Sequence, residues 1–144
     1  MKFRGHETFF IRKGWLYKGM SNVVQEPGVF QGASGNPMDD LGIGANMVKA
    51  LRYWLTTTQL TAEPKVGRKN QTLTELGEII FENDAYMEEI GSIWLVHYML
   101  AINADDATSW YIFFNEFNKT EFNVEDFHSA LVKYVRMEDG TVPS

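Results

Sequence analysis

The sequence predicts a mainly α-helical fold with one small β-hairpin, and three observations carry that expectation. Residues 45–58 place Met47, Val48, Leu51, Trp54 and Leu55 on one broad apolar stripe at the helical period of about 100° per residue. A glycine-broken turn, Leu41-Gly42-Ile43-Gly44, separates this helix from a shorter one before it. Two short β-prone runs, Leu60–Pro64 and Gln71–Leu73, then bracket the loop Lys65-Val66-Gly67-Arg68-Lys69-Asn70 ahead of a further helix. Short helix, turn, long helix, hairpin and closing helix is the element order of a winged helix-turn-helix. A helical C-terminal extension follows, so the expected division is 1–82 for the winged domain with its N-terminal extension and 83–144 for the extension packed on it.

Each element has its own justification. Phe3–Phe10 shows no period and reads as extended or irregular. A helix follows over about Arg12–Val23, burying Trp15, Leu16 and Met20 and turning Lys13 and Lys18 outward. Breakers crowd Glu26-Pro27-Gly28 and Gly32–Pro37, which makes that stretch a loop. Pro37–Leu41 is a short helix with Asn36 as N-cap and proline at its first position. Pro64 confines the first strand to a sheet edge, as a two-stranded wing allows. Thr74 caps Glu75–Glu82, whose buried side is Leu76, Ile79, Ile80 and Phe81. Ser92–Ile102 is apolar nearly all round, which predicts a helix buried in a core or at an interface. Asp105–Phe117 continues the aromatic character. A last helix runs from Asn123, its N-cap, past the helix-start acids Glu125 and Asp126 to about Arg136, and Gly140–Ser144 is a tail.

The chain has 144 residues, 44% hydrophobic, enough to bury a core. It contains no cysteine, which excludes disulfides and thiolate metal sites. No apolar run approaches membrane length and the N-terminus has no apolar signal core, so a soluble, cytoplasmic protein is expected. The net charge of −6 conceals an asymmetry. Residues 1–69 carry ten Lys/Arg against five Asp/Glu, a net of +5, whereas residues 70–144 carry three against fourteen, a net of −11. The acidic balance argues against a nonspecific nucleic-acid binder, and the asymmetry argues for two distinct faces.

Catalytic and metal chemistry find little support. His6, His97 and His128 are too widely spaced to form a ligand set, and His6-Glu7 has no second histidine four residues on. His97 reads as a core or interface residue and His128 as a surface one. The adjacent acids Asp39-Asp40, Glu88-Glu89 and Asp105-Asp106 point apart on a helix and suit helix starts or turns. Gly42-Ile43-Gly44-Ala45 lacks the spacing of a phosphate loop, and no serine stands in a nucleophile elbow. No enzyme activity and no cofactor are expected. The eight aromatics from Trp94 to Phe122 recur at helical spacing without interleaved cations, which favours core over base stacking.

Duplex DNA is the partner that the basic half suits. Asn46, Lys49, Ala50 and Tyr53 fall on the face of the 45–58 helix opposite its apolar stripe, with Arg52 on the flank. An amide, an ammonium and a phenol near a helix start suit a major groove, while Lys65, Arg68 and Lys69 on the hairpin tip suit phosphates. An ordinary amphipathic helix and an ordinary charged hairpin tip would look the same locally. It is the order of elements that favours DNA.

The motifs Phe3-Arg4-Gly5-His6-Glu7-Thr8-Phe9, Lys13-Gly14-Trp15-Leu16, Leu41–Leu55, Leu73–Phe81, Trp94–Tyr98 and Trp110–Asn115 resemble one bacterial domain family of unknown function. The resemblance covers residues 3–134. Members of that family are found beside phosphoadenosine-phosphosulfate (PAPS) reductase-like genes of the DNA phosphorothioation and phage-defence type. They run to about twice this length, so the chain corresponds to their N-terminal half. The resemblance implies a setting in DNA modification or defence and brings no catalytic residues with it.

The reading that follows is a DNA-binding accessory or regulatory domain of such a system, with Asn46, Lys49, Arg52, Tyr53, Lys65, Arg68 and Lys69 at the DNA. The alternative is a protein-interaction module that docks a partner enzyme, of PAPS-reductase-like or other kind, through the acidic aromatic half. An enzyme, resting only on the gene neighbourhood that the resemblance implies and on His6-Glu7, ranks last.

Overall fold

The computed structural model describes residues 1–139, and the tail read at Gly140–Ser144 lies outside them. It is mainly helical with one small antiparallel sheet. In chain order the elements are α1 Trp15–Gln25, α2 Pro37–Leu41, α3 Ala45–Thr57, β1 Thr61–Ala62, β2 Thr72–Leu73, α4 Glu75–Asn83, α5 Ile90–Ala101, α6 Thr108–Tyr111 and α7 Val124–Asp139. A single 3₁₀ turn, Val29–Gln31, lies between α1 and α2, and a π-helical turn, Ile112–Glu116, follows α6. Among the described residues no helix is long and apolar enough to cross a membrane.

The described residues divide into two compact units, Arg4–Leu100 and Met1–Phe3 with the described residues from Ala101 onward. The expected division at residue 82 therefore falls inside the larger unit, and almost all of α5 belongs with the helices before it.

In the larger unit α1 packs against α2, α3, α4 and β2, and α3 packs against α2 and β1. The core holds Met20 and Val23 of α1, Leu41 of α2, Leu51, Trp54 and Leu55 of α3, and Ile80 of α4. The caps lie where short polar side chains predict them. Asn36 Oδ1 accepts from the Met38 N–H at 3.1 Å, and Thr74 Oγ1 accepts from the Gly77 N–H at 3.0 Å. The strands pair Thr61 with Leu73 and Ala62 with Thr72.

Four expectations are corrected. First, α1 starts at Trp15 rather than Arg12, because Gly14 takes a left-handed conformation (φ 81°) that breaks the helix before it begins. Second, Lys18 does not simply project outward. It is half-buried, and its Nζ donates to the Leu41 carbonyl at 3.0 Å, satisfying a free acceptor at the end of α2. Third, of the expected buried side of α4 Ile80 is buried, Leu76 and Phe81 are half-buried and Ile79 is 52% exposed, while Gly77 is buried in its place. A Cβ on Gly77 would collide with the Leu60 backbone, so α4 rides closer to the chain leaving α3 than any other residue would permit. Fourth, Ala50 is fully buried, which narrows the outer face of α3.

The smaller unit is held by paired polar contacts and an aromatic cluster. Thr108 Oγ1 accepts from the Lys2 N–H at 3.0 Å, and the Lys2 ammonium meets Asp106 at 2.5 Å. Asn123 Oδ1 accepts from the Asp126 N–H at 2.8 Å while Asp126 Oδ2 accepts from the Asn123 N–H at 3.1 Å, a reciprocal cap at the start of α7. Phe113 lies 5.0–5.8 Å, ring centre to ring centre, from Phe114, Phe117, Phe122 and Phe127.

The core reading of the aromatics is only partly right. Trp94, Tyr98, Phe114 and Phe122 are exposed, because α5 and the π-helical turn present more apolar surface than the units bury. Helical spacing alone does not show which face a neighbour will cover.

Candidate nucleic-acid interface

The outer surface of α3 is built from both ends. At its start Ala45, Asn46 and Lys49 are exposed, and Gly44 leaves the first turn without a side-chain cap. At its end the segment 4–9 lies over the helix. The Trp54 Nε1–H donates to the Phe9 carbonyl at 2.9 Å, the His6 ring stacks on Trp54 at 5.6 Å and 5°, and Gly5 presses against the Tyr53 ring. Of the two expected forms, extended or irregular, this segment takes the second, as a tight turn. The Glu7 N–H donates to the Arg4 carbonyl and the Phe9 N–H to the His6 carbonyl, with Glu7 (φ 49°) and Thr8 (φ 70°) left-handed. His6 Nδ1 accepts from the Thr8 N–H at 3.0 Å and helps to hold that strained pair.

The hairpin is braced to α3 by a polar chain. Arg52 grips Glu63 with two parallel bonds, Nε to Oε1 at 2.6 Å and Nη2 to Oε2 at 2.8 Å. Gln71 Nε2 donates to the same carboxylate at 2.9 Å, and its Oε1 accepts from the Thr61 hydroxyl at 3.0 Å. Gln71 and Thr61 are fully buried, and the Gln71 N–H donates to the Pro27 carbonyl at 2.8 Å, anchoring β2 to the loop after α1. Burial works to raise the Glu63 carboxyl, but the hydrogen bonds from Arg52 and Gln71, with the charges of Arg52 and Lys69, outweigh it and hold Glu63 below the usual carboxylate range. The hydrogen bond to Glu63 raises Arg52 against the opposing effect of burial.

The seven residues expected at DNA thus separate into two groups. Asn46, Lys49, Lys65 and Arg68 are exposed. The other three are engaged within the chain. Arg52 is locked to Glu63, and Tyr53 is half-buried beneath residues 5 and 6. Lys69 folds back so that its Nζ donates to the Pro64 and Lys65 carbonyls, 2.7 Å each, closing the hairpin loop. Sequence reasoning missed Glu63, Gln71 and the 4–9 segment. The one signal available was the dense motif Phe3–Phe9, whose residue types serve no periodic element. Elsewhere, His97 is half-buried beside Trp94 and His128 is exposed. Among the described residues no three His, Cys, Asp or Glu side chains gather as a metal site would require.

A family model matches residues 3–144, nearly the whole chain. The chain belongs to the DUF4007 family, whose description is protein of unknown function. This DUF4007 chain is also similar to two solved structures. One, titled SspB crystal structure, is 31% identical with a TM-score of 0.85 over 99% of this chain and 45% of that one. The other, titled magnesium ion-bound SspB crystal structure, is 30% identical with a TM-score of 0.82 over 99% and 44%. The chain therefore spans less than half the length of the SspB chains it matches. No curated protein matches it.

Proposed function

We propose that this DUF4007 chain is a winged helix-turn-helix that binds duplex DNA as a non-catalytic accessory or regulatory part of a bacterial, cytoplasmic DNA-modification or phage-defence system. The observation that carries the reading is the division of α3. The 4–9 segment covers its end, while its start stays bare at Asn46 and Lys49, and recognition helices read bases from their N-terminal half. The Arg52–Glu63–Gln71–Thr61 chain holds the hairpin against that helix, and the hairpin offers Lys65 and Arg68 to phosphates. Asn46 and Lys49 serve as base contacts. Arg52, Tyr53 and Lys69 become supports rather than contacts. The likeness to SspB and the resemblance to a family found beside phosphorothioation genes supply the setting.

The test is duplex binding by the chain at two salt concentrations, with phosphorothioated and plain DNA side by side. Binding that weakens steeply with salt supports the reading, and the ratio between the two duplexes reads the modification preference. Asn46→Ala should change discrimination between duplex sequences by about 1–3 kcal/mol without altering the salt dependence. Absence of duplex binding at low salt would hand the function to the second reading, a module docking a partner protein of the modification system. That reading draws on α5, where Ile90, Ile93, Trp94, Leu95 and Tyr98 are all exposed.

A further inference from the structure

A cavity of about 630 Å³ opens in the larger unit between the start of α1 and the turn joining α4 to α5, on residues that the DNA reading does not use. Its apolar lining includes Leu16, Ile93 and Val96. Two rings of a three-ring stack, Tyr17 and Tyr86, line it together. Phe81 and Tyr17 lie 6.3 Å apart at 16°, Tyr17 and Tyr86 4.4 Å apart, and Tyr86, the last ring, lines the cavity and is 63% exposed. The turn behind it is braced by local hydrogen bonds. Met87, also in the lining, is left-handed at φ 55°, and Asp84 accepts from the Glu88 and Glu89 N–H groups at 2.9 and 3.0 Å.

The rim carries charge of both signs. Arg12 and Lys13 stand there, and among the described residues neither has a carboxylate within ion-pair distance. Arg12 is held in place by two rings, its guanidinium 5.9 Å from the centre of Phe9 and 5.5 Å from that of Trp15. Glu88 completes the lining.

We propose that this cavity binds a nucleotide. The base extends the Phe81–Tyr17–Tyr86 stack, the phosphate meets Lys13 and Arg12, and Glu88 accepts from the base's exocyclic amine. The volume lies in the range of small-molecule sites. The occupant is either a free mononucleotide or a nucleotide unstacked from a DNA strand, and the second source rests on the DNA-binding reading above.

Two measurements on the full chain test this. In the first, deoxynucleoside 5′-monophosphates, the matching deoxynucleosides and inorganic phosphate are titrated by calorimetry. The nucleotide should bind saturably and more tightly than either fragment. Tyr86→Ala should weaken it about tenfold or more, the share of one base–aromatic stack, with Tyr86→Phe retaining it. Lys13→Ala should weaken the nucleotide but not the nucleoside. In the second, a duplex carrying 2-aminopurine reports unstacking as a rise in fluorescence on binding. A rise lost in Tyr86→Ala, with duplex affinity largely kept, identifies a strand nucleotide as the occupant. Mononucleotide binding without a rise identifies a free nucleotide. Failure of both signals in a chain that still binds duplex overturns the cavity and leaves the DNA reading intact. Mononucleotide binding in a chain that ignores duplex upholds the cavity and overturns the DNA reading. Binding indifferent to both Tyr86→Ala and Lys13→Ala would place the ligand elsewhere and overturn the proposal.

Discussion

Helices α3 and α5 have nearly the same length, 13 and 12 residues, and opposite relations between sequence and burial. α3 is the less apolar of the two, yet Val48, Leu51, Trp54 and Leu55 are all buried, because their spacing gathers them on one side that α1, α2 and β1 cover. α5 is apolar nearly throughout, yet it buries only Val96 and Leu100. Periodicity tells a chain which surface to hide. Apolar content without periodicity leaves surface over, and in this protein that surplus is exposed at Ile90, Ile93, Trp94, Leu95 and Tyr98. The same contrast separates what the two helices offer, a polar outer face on α3 and a mainly apolar one on α5.

The comparison is tested most severely by truncating one buried and one exposed residue. Leu51→Ala should cost about 2–5 kcal/mol of stability, as removal of a fully buried leucine does, measured as a shift in the urea midpoint. A cost within error would mean that α3 is rotated and its outer face misassigned.

A smaller effect is expected where the hairpin joins α3. Glu63→Gln should cost about 1 kcal/mol at neutral pH, a modest figure because Arg52 is a third exposed and the pair is partly screened. The folded-state pKa of Glu63 is depressed, so its contribution is present above the ordinary carboxylate range and lost as pH falls through the depressed value. The gap between wild type and Glu63→Gln should therefore close in acid when unfolding is followed against pH. A gap that stays constant would mean that the carboxylate carries no special stabilisation.

The smallest effect belongs to α5. Ile93→Ala, at a residue 53% exposed, should leave the unfolding midpoint within about 0.5 kcal/mol of wild type. A loss comparable to that of Leu51→Ala would show that the α5 face is covered in solution.

What the sequence made legible follows the same division. The stripe of α3, the caps Asn36, Thr74 and Asn123, and the strands around residues 61–73 all rest on short-range rules, and each is present. The 4–9 turn was not legible, because its left-handed positions are Glu7 and Thr8 rather than glycines. Nor was the engagement of Arg52 and Lys69. A cation in a sequence carries no mark of its partner, and Arg52 finds Glu63 eleven positions away only once the hairpin folds back. Ile79 and Ala50 exchanged their expected places because close approach at Gly77 and the packing of α3 decide burial more finely than a helical wheel does.

The most direct measurement of the central claim is the salt dependence of duplex affinity in four chains: wild type, Lys65→Ala, Arg68→Ala and Lys69→Ala. Lys65 and Arg68 are exposed on the hairpin, whereas the Lys69 ammonium already serves two backbone carbonyls. Loss of Lys65 or Arg68 should flatten the log–log slope by about one unit each, the signature of one phosphate contact. Lys69→Ala should leave the slope near that of wild type. Equal slopes in all four chains, or no duplex binding at low salt, would contradict the assignment of this surface to DNA.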